Sequence, residues 1–328
     1  MPRAPDPPPA HPRVASLLPS ATEIVCALGM RSALVGVSHE CDFPPGVDRL
    51  PILTSTRVLA EGRSGPIDRD VRRLLAEALA VYDIDTATLA RVRPDVIVTQ
   101  DLCDVCAVSL QDVERAVREL AGPAVRIVSL HPTKLAEVWD GVREVAQALG
   151  CEAEAELVLA ALRERIDAVV RRVAGAGERP NVLTIEWLDP VMVGGTWMPE
   201  LIALAGGRAL VTQPGQHAPT LSEEELRDLD PAPDVVLVKP CGFTLERTLA
   251  ESDALRELLG RLDWPAVRAG RVYLADGNSY FNRPGPRLVE SLEILAACVH
   301  PGLCSGWVRG YTPDCVRPFG VESHRDPR

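Results

Sequence analysis

Aromatic side chains are scarce, 4% of 328 residues, so each Trp, Tyr or Phe outside a core pattern carries information. Grouped positive charge is lacking too. The formal net charge is −11, and the arginines are spread along helical stretches beside Glu and Asp, as over 163–172. Phosphate-backbone recognition needs clustered Lys and Arg, so nucleic acid is excluded as a partner and these charges read as solvated helix faces. No apolar run approaches the roughly 18–20 residues needed to cross a bilayer. The proline-rich opening, Met1 to Arg13, contains no apolar core of a secretory signal. The expectation is a cytoplasmic protein, with export as the alternative if the start misses a leader. No Walker loop or dinucleotide glycine spacing occurs, and Gly194-Gly195-Thr196 and Ser279 lack the nucleophile-elbow pattern.

What is present is aliphatic: 46% of residues are hydrophobic, enough to bury a substantial core in a chain long enough for two domains. Nine cysteines, an odd number, fit reduced thiols better than a disulfide framework. Cys26, Cys151 and Cys298 fall in or beside helical patterns and read as small buried residues. Cys41, Cys103, Cys106 and Cys241 fall at strand ends or in loops and need another account.

Strands alternate with helices twice over. In the first half, strands are expected over Val14–Leu18, Leu34–Val37, Asp95–Thr99 and Arg126–Leu130. Helices are expected over Glu23–Leu28 (capped by Ser20 or Thr22), 68–80, Thr86–Val92 and 109–120. Residues 134–149 and 152–173 read as two helices separated by Gly150, the second unbroken for over twenty residues. The second half restarts with strands at Asn181–Ile185 and Asp234–Val238 and helices at Pro199–Leu204 and Ser222–Leu229. Pro94-Asp95-Val96 leading to Cys103 and Pro233-Asp234-Val235 leading to Cys241 are overlaid directly. The resulting division is a flexible head over 1–12, an N-terminal lobe over 13–133 and a helical spine over 134–175. A C-terminal lobe over 180–300 and a peripheral tail over 301–328 complete it. Alternation of this kind gives an α/β fold with two similar lobes of mainly parallel sheet. Ligands gather outside the carboxyl ends of such strands, here in a cleft between lobes.

The residues that carry chemistry fall at those strand ends. Asp101-Leu102-Cys103-Asp104-Val105-Cys106 places two thiols three apart, able to chelate a soft metal, form a redox pair or contact a ligand. His39-Glu40-Cys41-Asp42 offers imidazole, carboxylate and thiol in one loop, or a polar loop satisfying its own backbone. With Cys241 these groups could ligate zinc, cobalt or iron, or supply an axial ligand to a metal macrocycle. Trp187, Trp197, Met198, Tyr280 and Phe281 sit beside glycines and prolines, as an apolar platform for a large flat ligand or as interlobe packing. Glu223-Glu224-Glu225 opens a helix, where carboxylates favour the dipole.

Arg13-Val14-Ala15-Ser16-Leu17-Leu18-Pro19-Ser20-Ala21-Thr22-Glu23 resembles the opening of class III substrate-binding proteins of ABC transporters. The branch it is similar to binds cobalamin and iron chelates, in a leaderless, cysteine-containing subgroup. The Pro-Asp-Val strands, the long helix and Tyr280-Phe281-Asn282-Arg283-Pro284-Gly285-Pro286-Arg287 resemble that branch too, over roughly residues 13–300. The resemblance implies two Rossmann-like lobes on a helical backbone, holding cobalamin, siderophore-bound iron or haem for an ABC importer. By position it implies ligand contacts at His39–Asp42, at Trp187–Trp197 and at Tyr280-Phe281. Importer docking in the family uses an exposed glutamate on each lobe. Glu224 occupies the second-lobe place, whereas Ala87 stands in the first, a departure that counts against ordinary delivery to an importer. The expectation is thus a non-catalytic binder of a corrinoid or other metal chelate. The alternative is a metal-thiolate or redox enzyme using Cys103, Cys106, Cys241 and His39.

Overall fold

The computed structural model describes residues 11–59, 62–76, 82–100, 125–311 and 315–320. The chain divides into two compact units. One comprises Met1–Val58, Arg73–His131 and Trp139–Leu159, and the other Leu59–Arg72, Pro132–Val138 and Ala160–Arg328.

The first unit holds β1 (Val14–Ser16), β2 (Leu34–Gly36), β3 (Thr54–Thr56), β4 (Tyr82–Ile84), β5 (Val96–Gln100) and β6 (Arg126–Leu130). A four-stranded sheet runs β2-β1-β5-β6 with every neighbouring pair parallel, and β3 and β4 pair antiparallel beside it. β1 and β5 are buried along their whole length. That is why Val96-Ile97-Val98 is continuously apolar rather than alternating: both faces of a parallel sheet are covered. Leu53 leads into β3 and packs so tightly on β2 that a Cβ on Gly36 would lie 2.8 Å from its side chain.

The second unit holds β7 (Asn181–Leu188), β8 (Val191–Val193), β9 (Arg208–Ala209), β10 (Val235–Val238), β11 (Val272–Ala275) and β12 (Val316–Pro318). Its sheet runs β12-β11-β10-β7-β8, with β9 also on β7. β7, β10 and β11 are parallel, and β8 and β12 are antiparallel edges. The core of this unit gathers Leu183, Ile185, Val236, Val238, Leu274 and the buried Trp264, among others.

The two Pro-Asp-Val segments are built alike. In the first unit Asp95 N–H donates to the carbonyl of Arg13, and the Asp95 carboxylate accepts from Arg13 N–H, both at 2.8 Å. In the second, Asp234 and Asn181 make the same reciprocal pair, again at 2.8 Å for both bonds. The aspartate thereby closes backbone groups at the open start of the neighbouring strand, groups that would otherwise need water.

Helices form over Pro19–Ala27, Ser64–Ala76, Thr86–Val92, Leu135–Leu149 and Glu152–Val173, and boundaries between the units fall within Ser64–Ala76, Leu135–Leu149 and Glu152–Val173. Glu152 and Glu154 occupy its first turn and Arg171 and Arg172 its last, each sign matched to the dipole. Gly150 takes φ +69° between the two long helices, the left-handed geometry that glycine adopts without strain. Two helix starts differ from expectation. The helix expected from Glu23 begins at Pro19, whose missing N–H costs nothing in a first turn, so Ser20 and Thr22 lie inside it and its N-cap is Leu18. The helix expected over 68–80 begins at Ser64, with Pro66 likewise tolerated in the opening turn. Its start is held by Glu251, whose carboxylate accepts from Ser64 N–H at 2.6 Å and from Ser64 Oγ at 2.8 Å. Residues 59–72 accordingly belong with the second unit although they precede most of the first in the chain. The expected helix near 109–120 lies outside the described residues.

Candidate functional site

In the second unit the carboxyl ends of β7, β10 and β11 emerge on one edge, because the three strands are parallel. β7 delivers Glu186 and Trp187, β10 delivers Lys239, Pro240 and Cys241, and β11 delivers the turn Asp276–Asn282. Lys239 is 1% exposed, and its ammonium donates to Glu186 Oε2 at 2.9 Å and to Asn282 Oδ1 at 2.8 Å. Asn282 returns its amide N–H bonds to the carbonyls of Lys239 at 3.1 Å and Gly277 at 2.8 Å. A buried ammonium requires such partners. The three strand ends are thereby tied into one polar seam.

Trp187 is half-buried and meets Phe243 edge-on, with ring centroids 5.2 Å apart. The Arg247 guanidinium covers the Phe243 ring at 4.0 Å. Cys241 is exposed beside them. Trp197, Met198, Tyr280 and Phe281 are instead between 1% and 4% exposed. Trp197 Nε1–H donates to the Phe281 carbonyl at 2.8 Å, and Phe281 N–H donates to Ser291 Oγ at 2.8 Å. These bonds hold Phe281 at φ +70°, a strained conformation for a bulky residue. Arg287 stacks on Tyr280 at 4.5 Å. Of the five residues read as an apolar platform, Trp187 is the one whose ring retains substantial exposure. The other four sit in packed surroundings, because their glycine- and proline-rich loops fold back onto the unit.

In the first unit the loop after β2 carries His39, Glu40, Cys41 and Asp42. His39, Glu40 and Asp42 are exposed. Cys41 is 4% exposed, its sulfur 3.1 Å from Thr22 Oγ1, which in turn donates to Ser16 Oγ at 2.8 Å. The thiol is thus packed among hydroxyls at the end of β1 rather than presented outward. His39 is fixed by Thr54, and the Tyr82 hydroxyl donates to Glu40 Oε1 at 3.0 Å. Asp101, Cys103 and Cys106, which follow the carboxyl end of β5, lie outside the described residues. Among the described residues no group of three or more His, Cys, Asp and Glu side chains forms a metal cluster.

Lys239, Glu186, Asn282, Thr54, Ser38 and Tyr82 were not singled out by pattern. Lys239 carried a signal: a lysine continuing the buried run Val235–Val238 demands a partner. The others are ordinary polar residues whose partners lie far off in sequence.

Glu224, on the short helix Glu223–Arg227, is exposed, and Ala87 is exposed in the first turn of Thr86–Val92. No helix among the described residues is long and apolar enough to cross a membrane.

A periplasmic binding protein family model matches residues 14–278. An uncharacterized ABC transporter substrate-binding lipoprotein, YvrC of Bacillus subtilis (strain 168), is 21% identical over 296 residues, 88% of this chain and 80% of that protein. Among solved structures, a periplasmic heme binding protein from Pseudomonas aeruginosa superposes with a TM-score of 0.66 at 22% identity, covering 89% of this chain and 94% of its own. The periplasmic vitamin B12 binding protein BtuF of Vibrio cholerae gives 0.61 at 19% identity, covering 89% and 97%. At these identities the structural likeness is one of fold, the two-lobed, parallel-sheet architecture expected from the sequence. With the family model spanning most of its length, the chain belongs to the periplasmic binding protein family.

Proposed function

We propose that this chain is the substrate-binding component of an ABC transport system and takes a metal chelate, cobalamin or a related macrocycle in the first instance. One observation carries the reading. Exposed or half-exposed groups suited to a metal chelate (His39, Glu40 and Asp42 in the first unit, Trp187 and Cys241 in the second) stand at carboxyl ends of parallel strands, where ligands of such sheets bind. Asp101, Cys103 and Cys106 follow another such strand end in the sequence and belong to the same proposal, as do Trp197, Met198, Tyr280 and Phe281, packed within the second unit. The heme- and vitamin B12-binding proteins of like fold support the ligand class. The lipoprotein relative supports export, the second of the two locations the sequence left open. Glu224 is the residue through which a permease would be met, with Ala87 making the other contact weaker than in relatives bearing two glutamates.

The test is titration of the purified protein with aquocobalamin and with haemin, following tryptophan fluorescence and the visible bands of the ligand. Saturable one-to-one binding at micromolar or tighter affinity, about −8 kcal/mol or better, is expected, and Trp187→Ala should weaken it about tenfold, the scale of a stacking contact. Absence of binding at tens of micromolar by either macrocycle and by iron chelates overturns the reading.

A further inference from the structure

The first turn of the helix Ser64–Ala76 is fastened beside Trp187. Glu251 stands at the N-cap of the helix Ser252–Leu262, where a side-chain acceptor can cap its own helix, yet it makes no such bond. Both of its oxygens reach Ser64 instead, 187 positions away, one accepting from the N–H at 2.6 Å and the other from Oγ at 2.8 Å. Ser64 is fully buried and Glu251 is 7% exposed. An N–H in an opening turn has no partner within its own helix, and a negatively charged acceptor suits the dipole there. Two further contacts flank this pair. A Cβ on Gly65 would overlap the Asp189 carboxylate, so the turn lies directly on Asp189, whose carbonyl accepts from Trp187 Nε1–H at 3.2 Å. Arg247 donates to the Gly62 carbonyl at 3.3 Å while its guanidinium covers Phe243, the ring that Trp187 meets edge-on. All of these residues belong to the second unit, residues 59–72 included. The segment is thus anchored to neighbours of Trp187 on two sides, while Gly62, Arg63 and Pro66 remain exposed.

We infer that residues 62–72 form a strap beside Trp187 that retains bound ligand, and that Glu251 keeps the strap latched. This deepens the binding reading above and rests on it. A ligand resting on Trp187 meets the strap at its edge, and its release is slowed because the strap must move first. The fastening is polar, and such bonds gain little net against water compared with a packed core, so the strap can open while the sheet stays folded. Glu251 acts as a positioning residue, through Ser64 and not on the ligand. Packing alone would make the contact matter to stability and leave ligand release untouched.

The experiment measures strap opening and ligand release separately, on the full chain, with aquocobalamin, haemin and a ferric trihydroxamate as probes. Glu251→Ala removes both bonds, Ser64→Ala removes the hydroxyl bond alone, and Glu251→Gln keeps an acceptor and serves as the rescue. Hydrogen exchange read by mass spectrometry should show the amides of 64–70 exchanging roughly tenfold faster in Glu251→Ala and near the wild-type rate in Glu251→Gln. Stopped-flow dissociation of whichever probe binds should quicken about fivefold or more in Glu251→Ala, with a smaller change in association, since lost contacts fall mainly on dissociation. Should Glu251→Ala fail to fold, Ser64→Ala gives the same two readings in weaker form. Faster strap exchange with unchanged dissociation overturns the inference while leaving the binding reading intact. Unchanged strap exchange in the variants does the same. No binding of any probe by wild type removes both.

Discussion

Lys239 and Glu186 form an ion pair at 2.9 Å across the carboxyl ends of β10 and β7, with the lysine 1% exposed and the glutamate side chain 22%. Removing one partner of such a pair costs more than removing both, because the survivor is left charged in a low-dielectric setting. Glu186→Gln is expected to lower stability by about 2–4 kcal/mol, somewhat less than the roughly 3–5 kcal/mol of a fully buried pair, since Glu186 keeps some solvent. The double replacement Lys239→Met with Glu186→Leu should cost less than that single change. Urea denaturation of the three proteins checks the ordering, and a double variant less stable than Glu186→Gln would refute it.

Long elements were legible because their signals are local. The helix Glu152–Val173 and the strand Arg126–Leu130 fall where periodicity and apolar runs place them. Starts were less legible: Pro19 and Pro66 look like breakers in a linear reading and act as tolerated first-turn residues in the fold. The candidate residues were legible as strand-end positions, not as exposed groups. Trp197 sits among glycines, which suggests a loop open to solvent, yet its indole N–H finds the carbonyl of Phe281, 84 positions away. Thr54 and Ser38 gave no signal at all, since their meaning arises only when β3 is brought beside the loop after β2.

Acid should weaken this fold through its helix caps. Asp85 caps Thr86–Val92, accepting from Thr88 Oγ1 at 2.7 Å and from Thr88 N–H at 2.9 Å, and these bonds hold its carboxyl below the ordinary value of 3.8. Glu225, bonded to the backbone and hydroxyl of Ser222, and Glu137, bonded to Thr133, are likewise held below 4.5. Each is more acidic folded than unfolded, so the unfolded chain takes up protons first as the pH falls. Their stabilisation is complete above the unfolded values and is lost as the pH drops through the folded ones. Urea midpoints should therefore stay level down to about pH 5 and decline below it. Asp85→Asn keeps an N-cap acceptor, so it should cost little at neutral pH and shrink the acid-dependent decline. A gap between wild type and variant that is the same at both ends of the pH series would refute the assignment.

The cysteines should separate sharply by reactivity, since alkylation needs both access and the thiolate form. Cys241 is exposed at the end of β10. Burial pushes the Cys26 thiol up to about 11, with Arg31 opposing and Glu23 adding. At pH 8 only roughly one part in a thousand of such a thiol is ionised. Cys298, in the last turn of the buried helix Leu288–Val299, is driven up further by burial, and neighbouring Cys315 adds to it. Brief treatment of native protein with iodoacetamide, followed by peptide mass mapping, should therefore mark Cys241 well ahead of Cys26 and leave Cys298 untouched until denaturant is added. If Cys298 were alkylated in step with Cys241, that helix would be opening on the timescale of the reaction, and the close packing at the back of the second sheet would have to be abandoned.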